Sequence, residues 1–161
     1  AVTKKKLKQI DKIIKIKTYD LKVNKKNLKS IIKDYDYIID GTDNFDSKLN
    51  INDECYNQRK KLFSGSVSKF DAHIFFFDFS KKSPCLRCFM PNAPKNLNRC
   101  QDEGILGTVT GIVGTIISNE LIKDAVGIDS NLKNNVLIIN LEKLIFRTIK
   151  INLSLRCLNH E

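Results

Sequence analysis

Residues 36–44 read DYIIDGTDN. Tyr37, Ile38 and Ile39 form a short apolar run closed by Asp40 and Gly41, which predicts a buried strand ending in a turn. In an open α/β sheet, ligands gather beyond the carboxyl ends of the strands. A carboxylate in the segment Asp40-Gly41-Thr42-Asp43-Asn44 therefore stands where it can hold Mg²⁺, a hard cation that takes oxygen ligands and bridges to phosphates. The same residues also suit an Asx turn, with Asp43 and Asn44 leading into the next helix. Spacing alone leaves both readings open.

Outward from this stretch the chain alternates between two periods. Towards the C-terminus, a helix is expected over 46–59 and a strand over 61–66 (KLFSGS). Residues 70–79 (FDAHIFFFDF) are the most strand-prone in the chain. Residues 84–103 hold all three prolines without a clear period and read as loop. The longest helix is expected over 105–126, then strands over 136–141 and 144–151 joined by a tight turn at Glu142–Lys143. Towards the N-terminus, Asn24 suits a helix N-cap, with Leu28, Ile31, Ile32 and Tyr35 at i, i+3, i+4, i+7 spacing behind it. Residues 12–19 (KIIKIKTY) alternate like a short strand, and 2–10 read as the tail of a helix. The order points to an α/β sheet with an antiparallel extension. With no strand and glycine loop at its head, the chain reads as the later part of a domain.

The 161 residues suffice for one domain with a real core, and 42% hydrophobic with 29% charged residues is a globular balance. No apolar run reaches the 18 or so residues of a membrane span, and AVTKKKLKQIDK lacks the apolar stretch of a secretory signal. A cytoplasmic protein, neither spanning a membrane nor exported, is therefore expected. The net charge of +10 sits entirely in residues 1–33, which hold 12 lysines against Asp11 and Asp20. Residues 34–161 hold 16 basic and 16 acidic groups. Such a basic segment can bind nucleic acid or anionic lipid. No aromatic residues alternate with the lysines to stack on bases, and the chain is rich in Lys, Ile and Asn throughout, so a solvated face without nucleic acid or membrane is expected.

Five cysteines, an odd number in a chain with no export signal, argue against a disulfide framework. Cys85-Leu86-Arg87-Cys88 and Cys157-Leu158-Asn159-His160 each place two residues between potential ligands, the spacing that brings both side chains to one tetrahedral ion. Zinc held there would staple the chain's end to a mid-chain loop. Redox use of the CxxC is weaker, since no thioredoxin-like strand–helix context follows. Cys100, beside Arg99, could be a stabilised thiolate or an idle loop cysteine; Cys55 fits a core position. Gly107, Gly111 and Gly114 in the long helix suggest close packing against another backbone, because glycine costs about 1 kcal/mol each in a helix interior. His73 reads as a strand residue with a satisfied hydrogen bond.

Taken in order, YIIDGTDNFDSKLNINDECYNQRKKLFSGS, FDAHIFFFDF, PCLRC and NRCQDEGILGTVTGIVGTIISNELIK resemble the MoeB/ThiF/HesA family, bacterial relatives of ubiquitin-activating enzymes. The resemblance implies that residues 1–161 are the C-terminal part of a single Rossmann-like adenylation domain. That domain uses ATP and Mg²⁺ to adenylate the C-terminal glycine of a ubiquitin-like sulfur-carrier protein for molybdopterin or thiamine synthesis. It implies that Asp43, with Asn44 beside it, stands near the metal and nucleotide. Cys100 matches a thiol that in ThiF-type members links sulfur to the carrier. Cys85 and Cys88 match the first zinc pair, and Cys157 with His160 stands where the family usually has a second CxxC. A homodimer through the region of the Gly-rich helix is implied, as is a rhodanese-like or cysteine-desulfurase sulfur donor. The family's glycine-rich nucleotide loop and its following Arg and Lys would all precede Ala1, so this chain alone is expected not to adenylate. The alternative is a non-catalytic carrier-docking or dimerisation module with a structural zinc.

Overall fold

The computed structural model describes residues 2–91, 104–154 and 157. In chain order it contains α1 (Val2–Ile10), α2 (Lys25–Ile32), β1 (Tyr37–Asp40), α3 (Phe45–Asn57), β2 (Lys61–Ser68), β3 (Asp71–Asp78), α4 (Leu86–Phe89), α5 (Gly107–Ala125), β4 (Asn135–Asn140) and β5 (Ile145–Lys150). The strands form one five-stranded sheet in the order β1-β2-β3-β4-β5. β1 and β2 are parallel and joined through α3, while every later pair is antiparallel. The result is a mixed α/β sheet with the antiparallel extension that the run of late strands implies.

The period-2 pattern of β3 decides how the sheet is covered. Phe75 and Phe77 face one core with Leu28, Ile32, Leu49 and Ile51 of α2 and α3. Ala72, Ile74 and Phe76 face the other, against Val109, Val113 and Ile117 of α5. Phe63 and Phe76 stack at 4.1 Å between ring centroids inside the second core; full burial of such a ring stabilises by about 1.5–3 kcal/mol. Gly65 on β2 permits this packing: a Cβ there would lie 2.9 Å from Val113 Cγ1. At the far end of α5, the buried carboxylate of Asp124 accepts hydrogen bonds from Tyr37 Oη (2.7 Å) and Lys61 Nζ (2.6 Å) and pairs with Lys133 Nζ (3.0 Å). This cluster ties the helix to the starts of β1 and β2.

Asn24 caps α2, accepting from the backbone N–H groups of Lys26 and Asn27, with Asn27 completing a capping box. Three expectations are corrected. Residues 12–19 form no strand: they carry no ladder, and Ile13 is 90% exposed. Alternating lysine and isoleucine supplies a face, but a strand also needs a neighbour to pair with. The proline-rich loop contains a helical turn at α4. The Gly107/Gly111/Gly114 face of α5 packs against no backbone among the described residues, since a Cβ at each position would meet nothing within 4 Å.

Candidate functional site

The DGTDN segment leaves β1 at its carboxyl end and enters α3. Asp40 is 2% exposed and accepts four hydrogen bonds. Its Oδ1 takes the Thr42 backbone N–H (2.9 Å) and hydroxyl (2.7 Å), and its Oδ2 takes Lys48 Nζ (3.1 Å) and Ser64 Oγ (2.7 Å). The parallel register sets Asp40 beside Ser64, which explains the reach of the serine. Lys48 also donates to the Gly65 carbonyl at 2.6 Å. Four donors occupy a carboxylate's acceptor sites, so Asp40 is committed to holding the turn.

Asp43, at the tip of the same loop, is exposed. It accepts from Asn44 Nδ2 at 3.2 Å. Asn44 is the N-cap of α3, its Oδ1 accepting from the Ser47 N–H at 2.9 Å. The Asx-type cap and a solvent-facing carboxylate are thus both present: Asn44 starts the helix, and Asp43 keeps acceptor capacity for a cation. Behind the loop lies a cleft lined by Phe45, Lys48, Ser64, Ser66, His73, Phe75, Leu86, Phe89 and Met90. Burial lowers the pKa of His73, against the opposing charge of Asp71. His73 stands in β3 as the strand residue expected, opposite Ser66 of β2 and Ile138 of β4.

Lys48, Ser64 and the structural role of Asp40 were not foreseen from the sequence. A signal existed. Lys48, Asn52 and Cys55 recur at i, i+4, i+7 on the buried face of α3, and a lysine and an asparagine at core positions announce polar partners.

The second cluster brings Cys85, Cys88 and Cys157 together. Their sulfurs all lie within 4.8 Å of one another. Cys85 Sγ is 3.9 Å from Cys88 Sγ and 3.5 Å from Cys157 Sγ. A disulfide needs about 2.05 Å, whereas tetrahedral Zn–S bonds of about 2.3 Å place sulfurs roughly 3.8 Å apart. The thiols therefore have the spacing of a metal site, and three soft sulfur donors suit zinc. The predicted link between mid-chain and tail is present in this contact. Burial pushes the Cys85 thiol pKa up, and a neighbouring Cys88 charge adds to it; the Cys157 contact and the N–H groups of Cys88 and Arg87 work in the opposite direction. A divalent cation would relieve that burial penalty by drawing off the thiol protons. Cys55 lies apart from the cluster, and burial with the nearby Asp40 and Glu54 charges pushes it to about 12, a core thiol as expected. Cys100 and His160 lie outside the described residues.

The family model "ThiF family" matches residues 1–158, and the chain belongs to that family. Among curated proteins it is similar to the adenylyltransferase and sulfurtransferase MOCS3 of Culex quinquefasciatus, 31% identical over 147 residues, covering 90% of this chain and 33% of that protein. The MOCS3 of Drosophila virilis is 34% identical over 139 residues, covering 85% and 31%. Among solved structures, MccB of E. coli superposes with a TM-score of 0.80 at 12% identity, covering 99% of this chain and 49% of MccB. MccB with ATP superposes at 0.79 and 15% identity, covering 99% and 50%. At these identities the likeness shows the fold. The chain spans about a third of the curated relatives and half of the MccB chain. No helix among the described residues is long and apolar enough to cross a membrane.

Proposed function

We propose that the intact protein adenylates the C-terminal glycine of a ubiquitin-like sulfur-carrier protein, using ATP and Mg²⁺, in molybdopterin or thiamine synthesis, and that residues 1–161 supply the C-terminal part of the adenylation domain. The observation that carries this reading is the division of labour in the DGTDN loop. Asp40 is saturated and buried, while Asp43 stands exposed at the carboxyl end of a parallel strand. Asp43, steadied by Asn44, would hold Mg²⁺, which neutralises phosphate charge when bound. The Asp40–Lys48–Ser64 network keeps the loop from yielding as charge develops near it, and such preorganisation is a large part of electrostatic catalysis.

Cys85, Cys88 and Cys157 would hold Zn²⁺ with His160 as fourth ligand. The ion's contribution would be structural, binding energy serving as folding energy. Cys100 is read as the thiol that carries sulfur to or from the carrier. The partners in this reading are the carrier, a second copy of the protein and a rhodanese-like or cysteine-desulfurase sulfur donor, all in the cytoplasm. The open Gly107/Gly111/Gly114 face of α5 supports the dimer, because glycines there leave room for a close approach. ATP–pyrophosphate exchange by the intact protein, dependent on the carrier, tests the reading; no exchange with any ubiquitin-fold carrier carrying a C-terminal glycine would overturn it.

A further inference from the structure

The CxxC turn is held from outside by two consecutive residues of α3. Leu86, the first residue of the four-residue helix α4, has a backbone N–H with no acceptor inside its own helix. Asn52, fully buried, takes that N–H on Oδ1 at 2.9 Å. Asp53 grips the next residue, Arg87, with both carboxylate oxygens: Nε to Oδ1 and Nη2 to Oδ2, each 2.7 Å. Asn52 Nδ2 donates to Asp53 Oδ1 at 3.1 Å, so the two grips form one unit. Within the turn, the Cys88 N–H donates to the Cys85 carbonyl at 2.9 Å. Both residues between the two thiols are thus fixed from the same helix. A fork-on-fork ion pair sets direction as well as distance.

We propose that Asn52 and Asp53 are positioning residues for the metal centre: by clamping Leu86 and Arg87 they hold the Cys85 and Cys88 sulfurs at ligating separation before an ion arrives. The inference rests on the zinc reading above and adds to it the residues that set the affinity. Ordering a four-residue turn on binding would otherwise be charged against the metal's binding free energy. Outer contacts to metal ligands typically change affinity by 10–100-fold when removed.

The test is a zinc titration of the intact protein against a chromophoric chelator, comparing Asp53→Asn, Arg87→Gln, the double variant and Asn52→Ser. Cobalt substitution, read by the thiolate charge-transfer bands, reports whether the sulfurs still ligate. Asp53→Asn and Arg87→Gln are each expected to weaken zinc about 10-fold or more. The double variant should lose no more than either single one, and the cobalt bands should keep their tetrahedral form. The melting temperature of the zinc-free protein separates positioning from general destabilisation, which would lower it in parallel with the affinity, whereas a coupled loss shows that Asp53 and Arg87 act through their shared contact. Affinities within twofold of the unsubstituted protein, or strictly additive losses, would overturn the inference while leaving the zinc reading intact. An unsubstituted protein that binds no zinc would overturn both.

Discussion

Lys48 Nζ lies 3.1 Å from Asp40 Oδ2, with 6% and 1% of the two side chains exposed. This pair, deep behind the loop that carries Asp43, is satisfied on both sides by Thr42, Ser64 and the Gly65 carbonyl. Removing one partner strands the other charge in the interior. Lys48→Met is therefore expected to lower stability by about 3–5 kcal/mol. Urea unfolding followed by circular dichroism checks this; a loss below about 1 kcal/mol would mean that water reaches Asp40 and the loop is not held as described.

The Asp124 cluster makes a prediction in pH. Burial by itself raises the pKa of this carboxyl, but hydrogen bonds from Lys61, Tyr37 and Lys133 prevail and bring it down to about 2. Its folded pKa thus lies below its unfolded value of 3.8. The stabilisation is fully present above the unfolded value and is lost as pH falls towards 2. Asp124→Asn should be destabilised by roughly 1–3 kcal/mol at pH 7, and the gap to the unsubstituted protein should close between about pH 4 and pH 2. A gap that stays constant over that window would show that the carboxylate's charge contributes nothing.

Ser83 presents the opposite case. Its Oγ is buried and has no hydrogen-bond partner among the described residues. Leaving such a group unpaired costs about 1–3 kcal/mol. Ser83→Ala is expected to raise the melting temperature, and a lower one would reveal a partner for the hydroxyl.

Cys85→Ser tests the thiol cluster. Its sulfur stands between those of Cys88 and Cys157, so its loss should release the metal and loosen the contact between the mid-chain turn and the tail. Elemental analysis reads the zinc, and hydrogen exchange over residues 150–157 reads the loosening. Unchanged zinc content would reject the metal reading.

Much of this architecture was legible from local chemistry. The YIID run, the aromatic alternation of 71–78 and the Asn24 cap each announce their element within a few residues, because β propensity and capping are local effects. The Cys85/Cys88 half of the thiol cluster was legible for the same reason, and pairing it with Cys157 rested on recognising a second half-motif. What escaped was decided at long range. Residues 12–19 have the pattern of a strand, yet pattern does not supply a pairing neighbour. Lys48 finds Asp40 eight positions away and the Gly65 carbonyl seventeen away, and the Asp53–Arg87 clamp spans thirty-four. The helical period puts Lys48 on the buried face of α3 and so announces that it needs a polar partner, but only the approach of α3 to β2 and to the CxxC turn decides which partners these are.

The central claim is that Asp43 does chemistry while Asp40 holds structure. Asp43 is exposed and its one hydrogen bond among the described residues comes from Asn44, so Asp43→Ala should change folding stability by no more than about 0.5 kcal/mol. The most direct measurement is carrier-dependent ATP–pyrophosphate exchange by the intact protein and its Asp43→Ala variant, with unfolding curves for both. Exchange in the unsubstituted protein, lost in a variant of equal stability, is the predicted result. Exchange that survives the substitution would make Asp43 a turn residue and contradict the account.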